Sequence, residues 1–370
     1  MAHLQSLFPR FTKNKDQCKD GFEKQIAPGC QHLCLGRPHR KIAILVACEY
    51  VTYDMEGVIQ RLPGCHSDIK KMQEMLMEHY GYHYNNFIIL SDENDSFIQP
   101  TRQNILETFQ KLVKQRDLSR IVMYYSGHGT RTKDRFYKGK TSSKTNQKGV
   151  INIQKYLKTL FTFEDCIVPS DYLEAGLISD VCFRTHFWSK IPIWTKVTAI
   201  FDSCNSGSIF NLPYRYKNAN TLERDLTSGF GNVSESTSVT SHHPLPLYLC
   251  TLPESGLSNS PFIVTISGCQ NNQKSVAVKE RHVGSDVNTV GIVSASAENL
   301  DDPEGIRDKQ WEGCMSVAFR EVLKSHNFGV VGLDTIIEEM RALLRHWNYL
   351  QIPQMSLSHN ILPSSIVELF

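Results

Sequence analysis

A thiol and an imidazole held at the ends of buried strands can form a nucleophile and its base, and this chain carries one of each. Cys204 sits in Ala-Ile-Phe-Asp-Ser-Cys-Asn-Ser-Gly, residues 199–207. There the apolar, β-leaning run 197–201 gives way to Asp202, Ser203, Asn205, Ser206 and Gly207, residue types that end strands and open turns. His128 sits in Ser-Gly-His-Gly, residues 126–129, directly after the apolar run 121–125. A free thiol is mostly protonated at neutral pH. A neighbouring imidazole raises its thiolate fraction and later returns a proton to a leaving amine. The small residues around both positions let a peptide backbone approach, and the backbone N–H groups of Cys204 and Gly129 are candidate donors to an anionic tetrahedral intermediate. Each residue has an ordinary reading when taken singly, Cys204 as a packed thiol and His128 as a satisfied strand-end histidine. Their occurrence together, both at strand exits inside Gly/Ser-rich turns, favours the catalytic reading.

Two neighbouring parallel strands would deliver these residues to one edge, because sites in open α/β sheets lie outside the carboxyl ends of the strands. The apolar runs predict strands at 42–48, 87–90, 121–125, 166–168, 197–201, 262–266 and 354–357. Helical spacing places Ile69, Met72, Leu76 and His79 on one face, with Ser67 as N-cap and Asp68 in the first turn. A second helix follows Thr101, with Ile105, Phe109, Leu112 and Val113 as its apolar face, and further helices are predicted at 181–188, 314–323 and 333–344. Alternation of strand and helix predicts an α/β fold with a largely parallel sheet.

A chain of 370 residues can bury a substantial core. Its net charge of +2 argues against a polyanionic partner. The longest apolar runs are too short to cross a bilayer, and residues 1–13 lack the apolar core of a signal peptide. Eleven cysteines, an odd number without a dense framework, are expected to be reduced thiols. The reading is therefore a protein of the cytoplasm, with the nucleus as a second compartment, and no membrane or nucleic-acid partner. Cys30, His32, Cys34 and His39 could be drawn together as a zinc site, but no second ligand pair follows, and the candidate is set aside. Residues 131–148 hold seven Lys or Arg and one Asp, and read as a solvated loop. The chain divides into an irregular leader (1–40) and a catalytic domain (41–370). Within that domain a large part (41–216) and a small part (261–370) are joined by a polar, exposed connection (217–260).

With those residues in place, five motifs in order carry a resemblance: Gly-Cys-His-Ser-Asp at 64–68, Tyr-Ser-Gly-His-Gly-Thr at 125–130, Asp-Ser-Cys-Asn-Ser-Gly at 202–207, Ile-Ser-Gly-Cys at 266–269 and Pro-Gln-Met-Ser at 353–356. The set resembles the type I metacaspases, within the clan of caspase-like cysteine peptidases. The resemblance implies a caspase-like three-layer sandwich, a central mostly parallel sheet flanked by helices, with His128 and Cys204 as catalytic dyad. Asn205 stands where the family usually has histidine, and a change in tuning is expected there.

The family cleaves after Arg or Lys. By the same resemblance the pocket for that side chain would be built from Cys65, Asp68, Ser126 and Asp202, whose two carboxylates suit a cation. The alternative for Asp68 is a helix-start role, and for Asp202 a turn-fixing one. The family's calcium site is a cluster of aspartates after the histidine motif. The matching positions here are Glu164 and Asp180, with neighbouring Asp165 as a substitute and Val181 where a further aspartate is expected, so calcium control should be weak. No organic cofactor is implied. The expected partners are protein or peptide substrates of a monomeric enzyme. Self-cleavage is expected at Lys217 and Arg224, then in the 131–148 loop. The rival reading is a catalytically silent interaction protein of the same fold; the retained dyad argues against it. No Gly-x-Gly-x-x-Gly follows any predicted strand, which excludes a dinucleotide-binding enzyme.

Overall fold

The computed structural model describes residues 40–51, 61–133, 163–204, 206–207, 209–218, 221–224, 261–268, 277–279, 311–361 and 367–370. In chain order the strands are β1 (Arg40–Ala47), β2 (Phe87–Ser91), β3 (Leu118–Ser126), β4 (Gly129–Lys133), β5 (Phe163–Ile167), β6 (Ile178–Ser179), β7 (Lys196–Asp202), β8 (Tyr214–Asn218), β9 (Thr221–Arg224), β10 (Phe262–Ser267), β11 (Ala277–Lys279), β12 (Trp311–Gly313) and β13 (Gln354–Leu357). The α-helices are α1 (Cys65–His79), α2 (Arg102–Leu112), α3 (Tyr172–Ala175), α4 (Asp180–His186), α5 (Cys314–Ser325) and α6 (Leu333–His346).

The main sheet runs β2-β1-β3-β7-β10-β13-β8-β9. Its first five strands are parallel and the last three antiparallel. The parallel strands are buried on both faces, and their period of two divides them between two cores. Ile42, Ile44 and Val46 of β1, with Ile121, Met123 and Tyr125 of β3, meet α2 and α4 through Ile105, Phe109 and Phe183. Ala43, Leu45 and Ala47, with Val122 and Tyr124, meet α1, α5 and α6 through Met72, Leu76, Phe319, Ile336 and Met340. The result is a three-layer α/β sandwich with a central, mostly parallel sheet, as the sequence predicts.

Three local readings change. α1 begins at Cys65 with Gly64 as N-cap, in the left-handed region at φ 108°, and Ser67 makes no capping bond. The capping acceptor comes from elsewhere in the chain: Glu49 Oε1 takes the N–H groups of Gly64 (2.9 Å) and His66 (3.3 Å). The 181–188 helix is α4 followed by a short 3-10 turn, Trp188–Lys190. The polar connection starts later than 217, because β8 and β9 form a hairpin on the sheet's antiparallel edge. Lys217 and Arg224 thus lie in paired strands. The leader, the zinc candidates, Asn205 and most of the basic 131–148 loop fall outside the described residues. No helix among the described residues is long and apolar enough to cross a membrane.

Candidate active site

Strand register brings the two catalytic candidates together. Ser126, at the end of β3, is paired with Asp202, at the end of β7. His128 and Cys204 each lie two residues beyond that pair. The ladder carries on for one further bond, from Gly127 N–H to the Asp202 carbonyl (3.4 Å). Gly129 then lies directly against Cys204: a Cβ there would overlap the Cys204 carbonyl oxygen and come within 3.1 Å of Ser203 Oγ. Only glycine permits this approach, so the turn carrying His128 and the turn carrying Cys204 form one surface. Cys204 is half-buried, whereas Cys48, Cys65, Cys166 and Cys314 are buried. Its turn is fastened by the Ser206 hydroxyl, which donates to the Ser203 carbonyl (2.7 Å), and by Phe210, packed against Phe201 and Phe183.

The predicted pocket residues converge beside the dyad. Asp68 and Asp202 are 1% and 4% exposed, and both face Gly313. A Cβ at Gly313 would overlap Asp202 Oδ2 and approach Asp68 Oδ2 to 3.0 Å. Asp68 accepts from Ser126 Oγ (2.9 Å) and from Gly313 N–H (3.0 and 3.1 Å to its two oxygens). It therefore reaches across to β3 and β12 and does not cap its own helix. Burial, then the neighbouring Asp202, push the Asp68 carboxyl well above the ordinary carboxylate range, against the pull of Arg320, Gly313 N–H and Ser126. Cys65 is the inward wall. Its thiol donates to the Leu62 carbonyl (3.4 Å), and burial followed by the nearby Asp68 raises its pKa well above normal, so it stays neutral.

Asp202 has a second partner absent from the sequence reading. Its Oδ2 accepts both the N–H (3.0 Å) and the hydroxyl (2.6 Å) of Ser316 in the first turn of α5, an anion seated at a helix N-terminus. The Ser316 hydroxyl in turn meets Tyr124. β12 is held over the pocket by Glu312, a buried carboxylate bound by Lys71 and Arg320. Gly268 and Gln351 close the far side: a Cβ at Gly268 would meet Gln351 Nε2 at 2.9 Å and Asp202 Oδ1 at 3.4 Å. Nothing local in the sequence marks Ser316 or Gln351. The one available signal was a glycine immediately before the predicted helix at 314.

The acids considered for calcium do not form a ligand set. Glu164 and Asp165 are successive residues of β5 and so project to opposite faces. Asp165 pairs with Arg131, its cross-strand neighbour on β4, at 2.6 Å. Asp180 titrates at about 7, raised by burial and then by Glu164 and Asp165, with the Val181 N–H opposing. Among the described residues no three His, Cys, Asp or Glu side chains are grouped to hold a metal ion. The residues present do not fit the ion.

A parallel α/β sheet that carries a cysteine and a histidine at adjacent strand exits is the architecture of caspase-like cysteine peptidases. In comparison with known proteins, residues 41–213 match the model for the metacaspase, peptidase C14 domain. The chain is 30% identical over 267 residues to Metacaspase-1 of Scheffersomyces stipitis, covering 65% of this chain and 59% of that protein. It is 27% identical over 336 residues to Metacaspase-1 of Debaryomyces hansenii, covering 86% and 65%. Metacaspase-1B of Neurospora crassa is 27% identical over 333 residues, 88% of this chain and 68% of that one. Residues 41–213 thus carry a metacaspase-type peptidase C14 domain, and the chain is similar to metacaspases over most of its length. It spans about three fifths of the length of the first of these relatives.

Proposed function

We propose that the chain is an endopeptidase that cleaves proteins after Arg or Lys with Cys204 as nucleophile and His128 as acid and base. The observation that carries this reading is the fusion of the two strand-exit turns through Gly129, next to two buried carboxylates that converge on Gly313. The Cys204 thiolate attacks the scissile carbonyl carbon, and the negative charge moves to the carbonyl oxygen, with the backbone N–H groups of Cys204 and Gly129 as its donors. The tetrahedral adduct collapses, the C–N bond breaks, and the imidazolium of His128 gives its proton to the leaving amine. His128 then takes a proton from water, and that water cleaves the thioester and frees the thiol. Asp68 and Asp202 hold the cationic side chain that precedes the cleaved bond. A caspase-type preference for aspartate would place a third carboxylate beside these two, which repulsion forbids.

The test is a panel of fluorogenic peptides that differ only in Arg, Lys or Asp at the cleavage position, with and without calcium, on wild type and Cys204→Ala. Cleavage of the Arg and Lys peptides by wild type alone supports the reading. Hydrolysis by Cys204→Ala, or preference for Asp, would refute it.

A further inference from the structure

The turn that presents His128 rests on two buried tyrosines. The hydroxyl of Tyr50 accepts the His128 N–H at 2.9 Å and donates to the Val168 carbonyl at 2.7 Å. The hydroxyl of Tyr125 lies 3.2 Å from that of Tyr50, 2.8 Å from the His128 carbonyl and 3.1 Å from the Val168 carbonyl, and Val168 N–H approaches it at 3.3 Å. Tyr125 has one proton to give, and the His128 carbonyl is its shortest acceptor. The His128 N–H therefore ends on the hydroxyl pair, while the His128 carbonyl accepts both the Tyr125 hydroxyl and the Val168 N–H (3.1 Å). The Tyr50 ring lies beside the imidazole, with ring centroids 4.9 Å apart and planes at 37°.

Two independent features show that the arrangement is built. Gly127 makes room for it, since a Cβ there would come within 2.6 Å of the Tyr125 hydroxyl oxygen and 3.2 Å of the Tyr50 one. Tyr50 itself has φ 58°, in the left-handed region that a bulky residue avoids. Such a conformation persists where its surroundings enforce it. Here the Asp92 carboxylate accepts the N–H groups of Glu49 (2.9 Å) and Tyr50 (2.7 Å), and His66 Nε2 meets its Oδ1 at 2.7 Å.

We propose that Tyr50 and Tyr125 are positioning residues for His128: a hydroxyl clamp on its backbone, with the Tyr50 ring beside the imidazole and Asp92 holding Tyr50 in place. The proposal rests on the reading of His128 as the acid and base. Catalysis by a proton-transfer group depends on sub-ångström placement, so a slackened turn costs turnover more than substrate affinity. The ring adds a separate effect, because an aromatic face within about 6 Å favours the imidazolium and with it the thiolate.

The experiment measures kcat and KM on an Arg fluorogenic peptide, the rate of iodoacetamide alkylation at Cys204 read by peptide mass, and the melting temperature. The variants are Tyr50→Phe, Tyr50→Leu and Tyr125→Phe, with His128→Ala and Cys204→Ala as controls. Tyr50→Phe and Tyr125→Phe should each lower kcat about tenfold with KM within about twofold. Tyr50→Leu should lower kcat further and slow alkylation of Cys204, while Tyr50→Phe, which keeps the ring, retains most of the alkylation rate. Unchanged kcat in both Phe variants, or a rise in KM alone, would overturn the clamp. Those two variants decide the matter should Tyr50→Leu fail to fold. Turnover by His128→Ala would instead refute the dyad on which the clamp depends.

Discussion

Asp68 and Asp202 place two acids in one buried corner, and that has a pH consequence. With its pKa raised by burial and by Asp202, Asp68 binds a proton more readily than an ordinary carboxylate. A guanidinium favours the ionised form, so binding of an Arg side chain expels that proton and strengthens as pH rises through the raised pKa. KM for an Arg peptide should accordingly increase as pH is lowered through the raised pKa of Asp68, and Asp68→Asn should flatten the dependence. A wild-type KM indifferent to pH would contradict this. Asp68→Ala should cost about 2 to 5 kcal/mol toward Arg and Lys peptides, the penalty of leaving a desolvated cation without its partner, measured as a fall in kcat/KM with the melting temperature little moved. At this scale the sequence was informative because Ser126, His128, Asp202 and Cys204 sit in short motifs at strand exits, and Cys65 and Asp68 in a short motif that opens α1. Ser316, Gly313 and the Tyr50 half of the tyrosine clamp were not legible, since each meets its partner across tens to hundreds of residues.

Among the elements, α5 matters most to the site, because its N-terminus holds Asp202 in place. Ser316→Ala removes the hydroxyl bond and keeps the N–H bond. It should destabilise the protein by about 1 kcal/mol and also raise KM for Arg peptides. A lower melting temperature with KM unmoved would make Asp202 a helix cap and remove it from the pocket. The β4-β5-β6 sheet gives a second test. Asp180 has a folded pKa of about 7 against an ordinary 3.8, so the folded state binds more protons between those values. Stability contributed by this group therefore falls as pH rises through that window. Asp180→Asn should melt higher than wild type at pH 8 and equal to it near pH 4; a pH-independent difference would refute the assignment. We expect calcium control to be weak, with Asp165 committed to Arg131 and Glu164 on the opposite face. A steep activation saturating at micromolar calcium would contradict that.

The long strands β1, β3, β7 and β10 were readable as continuous apolar runs because both faces are buried. β4, β8 and β9 were missed because Gly-Thr-Arg-Thr-Lys, Tyr-Arg-Tyr-Lys-Asn and Thr-Leu-Glu-Arg are polar segments, ordered by pairing with neighbours. The start of α1 was misplaced because its cap, Glu49, lies 15 residues upstream of Gly64. β12 escaped notice since its three residues pair with β11 and lean on Gly64.

For the whole molecule, the metacaspase domain model ends at residue 213, whereas the site continues into Gly268, Gly313, Ser316 and Gln351. The candidate site therefore extends into the second half of the chain, and removing α5 would take away the Ser316 bonds to Asp202. If the enzyme processes itself, cuts should fall after Lys or Arg. Arg224, paired with Tyr214 in the β8–β9 hairpin, makes a poorer target than Lys217, which sits at the register shift between Tyr216 and Asn218, because a protease needs an extended, unpaired chain. N-terminal sequencing of fragments from active enzyme, with Cys204→Ala as control, reads this directly; cuts after acidic residues would contradict it. The central claim, that Cys204 is a nucleophile activated by His128 and fed by an Arg-binding pocket, is met most directly by covalent trapping. A peptidyl-arginyl chloromethyl ketone should add once per chain, at Cys204, far faster than its aspartyl counterpart, and His128→Ala should abolish the reaction. Labelling at another cysteine, or equal labelling by the aspartyl reagent, would contradict the account.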